Sequence, residues 1–233
     1  MKSKAYAAFL SKAITYERDI EILDVLSHKP MKNNDVDKEK HSNIANLTLT
    51  KKEIALRTSH LKSTLYEGLV KNIYEIMMWY FREIVNSLLK NGVEPVKVSD
   101  NNLQTMTIAE ILKFRCWNSL CDEIASRIIR GLENFRDTPK AIEELSKRLS
   151  ITLDSNSFAD AKPYFEIRHL FVHNNGNPDD KFKRMYPTFV VKEEIKLRCP
   201  DVKAALRTIK KFVGEFDKQI IAKRILSQED CQP

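Results

Sequence analysis

Glycine and proline are scarce in this chain, and so are long apolar runs. Five glycines and eight prolines among 233 residues, beside abundant leucine, isoleucine, glutamate and lysine, favour an all-helical protein. The longest apolar run, Ile76 to Phe81, has six residues, whereas a membrane-spanning helix needs about 20. Charges at positions 17–21 are wrong for a signal peptide. We therefore expect a protein without a membrane-spanning segment.

The four cysteines argue against two further classes of protein. Cys116, Cys121, Cys199 and Cys231 show neither the close pairing of a zinc site nor the density of a disulfide framework. Reduced thiols in a cytoplasmic protein are the expectation.

Apolar residues recur at three- and four-residue steps, which predicts helices. The longest spans Lys51 to Lys90, and its apolar stripe consists of Leu61, Leu65, Leu69, Ile73, Ile76, Tyr80, Ile84 and Leu88. Further helices are predicted over 3–27, over 107–135 in one or two pieces, over 138–149, from Phe158 or Pro163 to Asn174, and from Cys199 or Asp201 to about 226. Residues 178–187 are expected to be irregular, and 189–197 to contain a short extended piece.

Five or six helices with short connections predict an all-α, antiparallel helical bundle. We expect residues 1–233 to form a single domain. Within it, residues 1–50 are expected to form an N-terminal helix and a mobile loop, and residues 51–226 the core bundle.

Positive charge is concentrated near the C-terminus. Residues 181–224 hold thirteen Lys or Arg against five Asp or Glu, a balance of +8, whereas the remaining chain has a balance of −1. A polyanion is the partner that such a segment favours, although basic helices are often only solvated faces. The candidate RNA-binding residues are Lys181, Lys183, Arg184, Lys210 and Lys211.

The stretch 166–176 reads E-I-R-H-L-F-V-H-N-N-G. An α-helix turns about 100° per residue, which places Arg168, His169 and His173 on one arc. The opposite, core-facing side carries Pro163, Ile167, Leu170 and Phe171. Phe165 and Val172 fall on the outward arc, and apolar residues there predict a surface that a partner covers.

The string R-H-L-F-V-H-N-N-G resembles the HEPN superfamily (higher eukaryotes and prokaryotes nucleotide-binding domains), whose hallmark is Arg, a polar residue, a short spacer and His. It is most similar to the subgroup with Arg-His at the start and His-Asn-x-Gly at the end, and the similarity covers roughly the C-terminal half. The resemblance implies a helical bundle that cleaves RNA as a metal-independent endoribonuclease without a cofactor. It implies catalytic roles for Arg168 and His173, and an active cleft formed where two protomers of a homodimer meet.

These residue types suit that chemistry. The 2′-hydroxyl of RNA attacks the adjacent phosphate when a base removes its proton and an acid protonates the leaving 5′ oxygen. Histidine can serve as either group near neutral pH. Arginine stays charged, binds phosphate oxygens through two hydrogen bonds and stabilises negative charge in the transition state.

Three further residues are candidates for supporting roles, each with an alternative. His169 is either an orienting or phosphate-contacting group or a second catalytic group. Asn174 either positions the phosphate or caps the helix. Glu67 either orders Arg168 through an ion pair, as acidic residues on early helices do in some HEPN proteins, or is a solvated side chain.

Two other interpretations compete with the ribonuclease. Glu166, His169 and His173 share one face, but no His-Glu-x-x-His string or nearby cysteine accompanies them, so no metal is expected. A non-catalytic HEPN-like module that binds RNA, regulates or acts as a scaffold is the second alternative.

The resemblance further suggests a toxin or an antiphage effector that acts on tRNA or mRNA and is controlled by an antitoxin or an activating partner. HEPN toxins silenced by a nucleotidyltransferase typically carry a tyrosine two residues after the histidine. Asn175 occupies that position here, which disfavours this form of control.

Overall fold

The computed structural model describes residues 1–28, 50–98, 106–133, 137–191 and 193–232. The mobile loop predicted before Lys51 falls on residues 29–49, outside those described. The helices are α1 (Lys4–His28), α2 (Lys51–Lys90), α3 (Pro95–Val98), α4 (Ile108–Ile111), α5 (Trp117–Glu133), α6 (Thr138–Arg148), α7 (Ser155–His173), α8 (Asp180–Met185) and α9 (Cys199–Ala222). The strands are β1 (Lys2–Ser3), β2 (Val190–Val191), β3 (Glu194–Ile195) and β4 (Cys231–Gln232).

The fold is an all-α helical bundle, as predicted, with α2 at its centre. α1 runs antiparallel to α2, because Lys12 lies 3.8 Å from the Trp79 ring centroid while Asp24 and Tyr66 line the opposite end of the pair. α7 is also antiparallel to α2, with Phe165 beside Tyr74 and Phe171 beside Lys71. α9 is antiparallel to α1, because Lys203 pairs with Asp24 and Lys210 with Glu17, and it therefore runs parallel to α2, as the antiparallel bundle requires.

Aromatic side chains from α1, α2 and α9 fill the middle of the bundle. The Tyr80 ring lies 6.2 Å from Phe9 and 6.3 Å from Phe216, and the Phe81 ring lies 5.0 Å from Phe216, all in edge-to-face contacts. Such pairs contribute about 0.5–1.5 kcal/mol each beyond area burial. Because Phe9, Ala13 and Ile20 of α1 are buried in this core, α1 is part of the bundle rather than an extension to it.

The apolar stripe of α2 is buried along only part of its length. Ile73, Ile76, Tyr80, Ile84 and Leu88 are buried, whereas Leu61 and Leu65 are 59% and 42% exposed. The last turn of α7 lies beside Lys71, where its Nζ is 5.9 Å from the Phe171 ring. The first turns of α2 therefore continue past the end of α7, which cannot cover Leu61 and Leu65.

Short polar side chains cap the N-termini of α2, α6, α7 and α8. Thr50 and Glu53 form a reciprocal capping box at the start of α2. Asp154 caps α7, Asp179 caps α8, and Asp137, rather than Thr138, caps α6. α7 consequently starts three residues before Phe158.

Two further differences from the predicted elements lie after α7. The connector 178–187 contains the short helix α8, because Asp179 accepts a hydrogen bond from the Phe182 backbone and Phe182 is buried. β2 and β3 form an antiparallel hairpin, with Val190 opposite Ile195, which confirms the short extended piece. Arg198 is the N-cap residue of α9, and its backbone nitrogen donates a hydrogen bond to the Asp201 carboxylate at 2.8 Å.

Both ends of the chain are joined at one end of the bundle. β1 pairs antiparallel with β4, with Ser3 opposite Cys231. The buried Asp217 of α9 accepts hydrogen bonds from the Ser3 backbone nitrogen at 3.0 Å, from the Ser3 hydroxyl, and from the Tyr80 hydroxyl at 3.2 Å. One carboxylate therefore ties β1, α2 and α9 together.

Candidate functional site

Arg168 lies against α2 with its guanidinium largely shielded. The guanidinium carbon is 4.2 Å from the centroid of the Tyr74 ring, a cation–π contact. A terminal nitrogen lies 3.5 Å from Glu75 Oε1, and the Arg168 side chain is 13% exposed. Its Nε is buried without a hydrogen-bond partner among the described residues. The arginine is thus held in one orientation, with part of its donor capacity unused.

Glu75, rather than Glu67, is the acidic partner of Arg168, so of the two alternatives for Glu67 the ion pair with Arg168 is not formed. Glu67 instead accepts a long hydrogen bond of 3.4 Å from Ser63 within α2. The two glutamates are eight residues apart, which places them within about 80° of each other around the helix. Sequence periodicity cannot choose between them, because the choice depends on how far α7 is shifted along α2.

The two histidines lie about 100° and 140° around α7 from Arg168, and His169 faces α8. The rings of His169 and His173 are 4.7 Å apart and tilted by 44°, as residues four positions apart on a helix allow. His173 is exposed and His169 is half-buried. Burial, and then the neighbouring His173 and Arg168, lowers the pKa of His169. His169 is consequently biased towards its neutral form, which can accept a proton.

His169 opens onto a small cavity of about 150 Å³ between α7 and α8. Its polar lining also includes Glu166, Asn174, Lys181, Asp137 and Asp179. Burial raises the pKa of Glu166, an effect that Lys181 opposes. The cavity therefore combines a carboxyl that holds its proton more tightly than usual with a histidine that holds its proton less tightly.

The burial of Glu166 predicts a dependence of stability on pH. A carboxyl whose pKa is higher in the folded chain contributes stability that is complete below its unfolded pKa, near 4.5, and is lost as pH rises through the folded value. We expect Glu166→Gln to melt at a higher temperature than the parent at pH 7 and at the same temperature at pH 4. Thermal unfolding at several pH values measures this. The exposed Glu229→Gln serves as control, and a lower melting temperature for Glu166→Gln at pH 7 would contradict the expectation.

The outward surface of α7 is only partly apolar. Ile167, Leu170 and Phe171 face the core as predicted, and Val172 is 43% exposed. Phe165, however, is fully buried, with its ring 6.0 Å from Phe212, so its predicted position on a partner-covered surface is wrong. α7 packs against both α2 and α9. Its buried face is therefore wider than the buried face of a helix that packs against a single neighbour.

Asn174 terminates the motif helix. Its backbone nitrogen donates to the Leu170 carbonyl at 2.9 Å, and its carbonyl accepts from Asn177. Asn175 and Gly176 then adopt left-handed conformations, with φ of 51° and 76°. The capping alternative for Asn174 is confirmed, and its place in the lining of the cavity beside His169 keeps its side chain near the candidate site.

Gly176 is required by both its conformation and its surroundings. A Cβ at this position would lie 3.1 Å from two ring carbons of Phe171. We expect Gly176→Ala to lower the free energy of unfolding by roughly 1–2 kcal/mol, since alanine is strained at positive φ and the ring must move.

Gly68→Ala is the matched control for that substitution, and urea unfolding measures both. Gly68 lies inside α2, where an added Cβ would meet no atom within 4 Å, so alanine there should stabilise the protein by about 0.5–1 kcal/mol. Equal effects of the two substitutions would contradict the role assigned to Gly176.

The predicted RNA-binding cations divide into two groups. Lys183 pairs with Glu193, Lys210 with Glu17 at 2.5 Å, and Lys211 with Asp160 at 3.3 Å. Lys181 and Arg184 on α8 are exposed, and neither forms an ion pair within the described parts of the chain.

The position of Lys211 separates it from the motif. Its partner Asp160 precedes His173 by thirteen residues, which is about 20 Å along α7. Lys211 therefore lies near the start of α7, whereas Lys181 lines the cavity beside His169.

The described residues show neither a metal centre nor a membrane span. No group of three or more His, Cys, Asp or Glu side chains among them is arranged to hold a metal ion. None of the described helices is both long and apolar enough to cross a membrane.

Comparison with known proteins gives no match for this chain. No family model matches it, and no significant match is found among curated proteins or among solved structures. The HEPN resemblance therefore depends on the motif at 168–176 together with the helical bundle, and the family stays a prediction.

Proposed function

We propose that this protein is a metal-independent endoribonuclease in which Arg168 and His173 act on the scissile phosphate. The observation that carries the proposal is the arrangement at the end of α7. One helix carries a guanidinium stacked on Tyr74 and, about 100–140° further around its axis, two histidine rings 4.7 Å apart. All three side chains fall within six residues.

Each group has a defined role in this proposal. The exposed His173 exchanges a proton with the 2′-hydroxyl or with the leaving 5′ oxygen, and Arg168 binds the phosphate oxygens. The bond from the 2′ oxygen to phosphorus forms as the bond to the 5′ oxygen breaks, which leaves a 2′,3′-cyclic phosphate. His169 orients His173 or supplies the second proton-transfer group.

A homodimer would bring these groups together. In one chain Arg168 faces α2 while His173 faces away, so a second copy that places its own histidines opposite Arg168 completes the site. The face around Arg168 supports such contact. Leu61, Leu65 and Glu75 lie within an arc of about 80° on α2, and Val172 is one turn from Arg168 on α7.

The dimer surface predicts a separation-of-function result. We expect Leu65→Glu to convert a dimer into a monomer and to abolish RNA cleavage while leaving the fold intact, because a charge replaces a half-exposed apolar contact. Light scattering coupled to gel filtration measures the mass. Leu112→Glu, at another exposed leucine, should remain dimeric, and a monomeric parent that still cleaves RNA would exclude the composite site.

Incubation of the purified protein with total RNA and tRNA in EDTA tests the activity itself. Cleavage that leaves 2′,3′-cyclic or 3′-phosphate ends would support the metal-independent mechanism. The absence of cleavage by an intact dimer would contradict it.

A second candidate function is a non-catalytic HEPN-like module that binds RNA, regulates or acts as a scaffold. The observation that favours it is the state of Arg168, which is 13% exposed and paired with Glu75. Salt-sensitive RNA binding without cleavage would support this alternative.

A biological role as a toxin or antiphage effector follows from the ribonuclease proposal and the HEPN resemblance together. Its control would then depend on an antitoxin or an activating protein. Binding of such a protein could separate Glu75 from Arg168. Growth arrest on expression of the parent chain, relieved by His173→Ala, would support the toxin role.

A further inference from the structure

A groove with a volume of about 1000 Å³ opens on the side of the bundle that carries the β2–β3 hairpin. It lies between the first half of α2, the hairpin and the first turn of α9, and we call it the α2–α9 groove. Its volume is at the upper end of the roughly 300–1,000 Å³ typical of small-ligand sites, and its lining combines apolar surface with three lysines and one arginine. A ligand that carries negative charge suits these side chains.

Positive charge dominates the walls of the groove. Lys62 stands on the α2 side, and Lys196, Arg198 and Lys203 stand on the opposite side, against the two carboxylates of Asp24 and Glu194. Cations that face each other across a groove can follow a chain of phosphates. This distribution points to the backbone of a nucleic acid.

The acidic partners of these cations can be replaced by phosphate groups. The Arg198 side chain is 76% exposed beside Asp201, and Lys196 and Lys203 lie 3.9 and 4.0 Å from their acidic partners. Ion pairs between exposed groups contribute only about 0–1 kcal/mol, so phosphate can replace the carboxylate. Lys62 forms no ion pair with any other described residue.

The groove adjoins the candidate cleavage site. The backbone nitrogen of Ile195 donates to the Gly176 carbonyl at 3.3 Å, and the residues on either side of Ile195 line the groove. Gly176 follows His173 by three residues, a chain length of at most about 10 Å. A strand that leaves His173 along this wall would enter the groove directly.

The groove also lies away from the proposed dimer surface. Ser59, Ser63 and Tyr66 face the groove, and a rotation of about 100° per residue places them roughly opposite Leu61 and Leu65 around α2. A second copy that docks on those leucines leaves the groove accessible.

We infer that the α2–α9 groove binds the phosphate backbone of single-stranded RNA next to the cleavage site, an inference that rests on the proposed ribonuclease function. The contacts from Lys62, Lys196 and Arg198 are to phosphates, so they hold RNA without regard to its sequence. Base selection would then depend on other groups.

The test uses the full-length protein and a single-stranded 2′-O-methyl RNA, which lacks the attacking hydroxyl and stays intact. Fluorescence anisotropy gives the dissociation constant at several salt concentrations for the parent and for Lys62→Gln/Arg198→Gln. Each lost phosphate contact lowers the magnitude of the slope of log K against log salt by about 0.7. The slope measured for the double variant should therefore be smaller in magnitude by about 1.4. The double variant should bind the oligonucleotide about 25-fold more weakly at 0.1 M salt.

Lys113→Gln/Arg115→Gln is the charge-matched control. These residues precede α5, whose Asp122 contacts Lys90 at the far end of α2, about 36 Å along α2 from Tyr66. The control should bind like the parent, and far-ultraviolet circular dichroism with thermal unfolding should show that both double variants are folded. A second groove variant, Lys196→Gln, should lower the slope by about 0.7.

The outcomes separate this inference from the ribonuclease proposal. Unchanged slopes in both groove variants, or no binding of the oligonucleotide by the parent, would overturn the groove as an RNA site. Cleavage of unmodified RNA in EDTA would still support the ribonuclease. Loss of binding by the groove variants with no cleavage by the parent would support the groove and contradict the ribonuclease.

Discussion

Replacing His173 by alanine is expected to lower the rate of RNA cleavage by about 100-fold to 10,000-fold, the range that a positioned proton-transfer group contributes. Arg168→Ala is expected to lower it by about 100-fold to 1,000-fold, because charge that develops on the phosphate loses a preorganised donor. Single-turnover cleavage in EDTA measures both rates. The loss should fall on the chemical step more than on RNA affinity, since most backbone contacts remain.

The two substitutions differ in their structural consequences, and the controls reflect this. His173 is exposed, so its removal should leave the melting temperature unchanged. Arg168 packs on Tyr74, so Arg168→Lys keeps the charge but loses the planar stacked fork and should also be impaired.

Arg130→Ala is the surface control. Arg130 is 62% exposed on α5 and pairs with Glu123, and its removal should leave cleavage unchanged. Cleavage at the parent rate by both Arg168→Ala and His173→Ala would place the active site elsewhere in the molecule.

Replacing Asp217 by alanine is expected to lower the free energy of unfolding by about 3 kcal/mol, through the loss of hydrogen bonds to a buried charged group. The Ser3 backbone and hydroxyl and the Tyr80 hydroxyl all donate to this carboxylate. Burial, followed by the field of Asp217, raises the pKa of Tyr80 well above its usual value. Tyr80 therefore stays a donor, and without Asp217 it is left buried and unsatisfied.

Urea unfolding measures that loss as a shift in the midpoint, when the slope of the free energy of unfolding against urea concentration is the same for all variants. Asp160→Ala removes an exposed aspartate from the Lys211 ion pair and should change the stability by at most about 0.5 kcal/mol. Tyr80→Phe removes one of the hydrogen bonds together with its donor, so it should lower the free energy of unfolding by less than Asp217→Ala does. Equal stability of Asp217→Ala and Asp160→Ala would show that the carboxylate does not tie the chain ends to α9.

Much of the fold followed from local patterns. The three- and four-residue spacing predicted the long helix from Lys51 to Lys90, and the structure confirms both of its ends, with Thr50 as N-cap and Asn91 as C-cap. The core side of the motif helix was also predictable at Ile167, Leu170 and Phe171. These features depend on helix geometry and on residues within one or two turns of each other.

Other features depend on how the helices are placed against one another. Phe165 faces α2 and α9 at once, and a helical wheel drawn for a single neighbour puts it on the wrong side. Lys210 and Lys211 look like free cations in the sequence, yet acids from α1 and α7 face them in the bundle. Neither contact has a local signal, since the partners are 193 and 51 residues apart.

The sequence by itself determined the helical class, the helix that carries Arg168, His169 and His173, and the Asn-Asn-Gly segment that follows it, because these depend on backbone propensity and short-range spacing. Tertiary structure alone decided that Arg168 pairs with Glu75 on the face of Tyr74, that His169 opens onto a cavity with Glu166, and that the α2–α9 groove adjoins Gly176. The physical reason is that side-chain partners between helices depend on the relative shift and rotation of whole helices. Packing of the shared core settles that shift and rotation, and no single segment of the sequence encodes them.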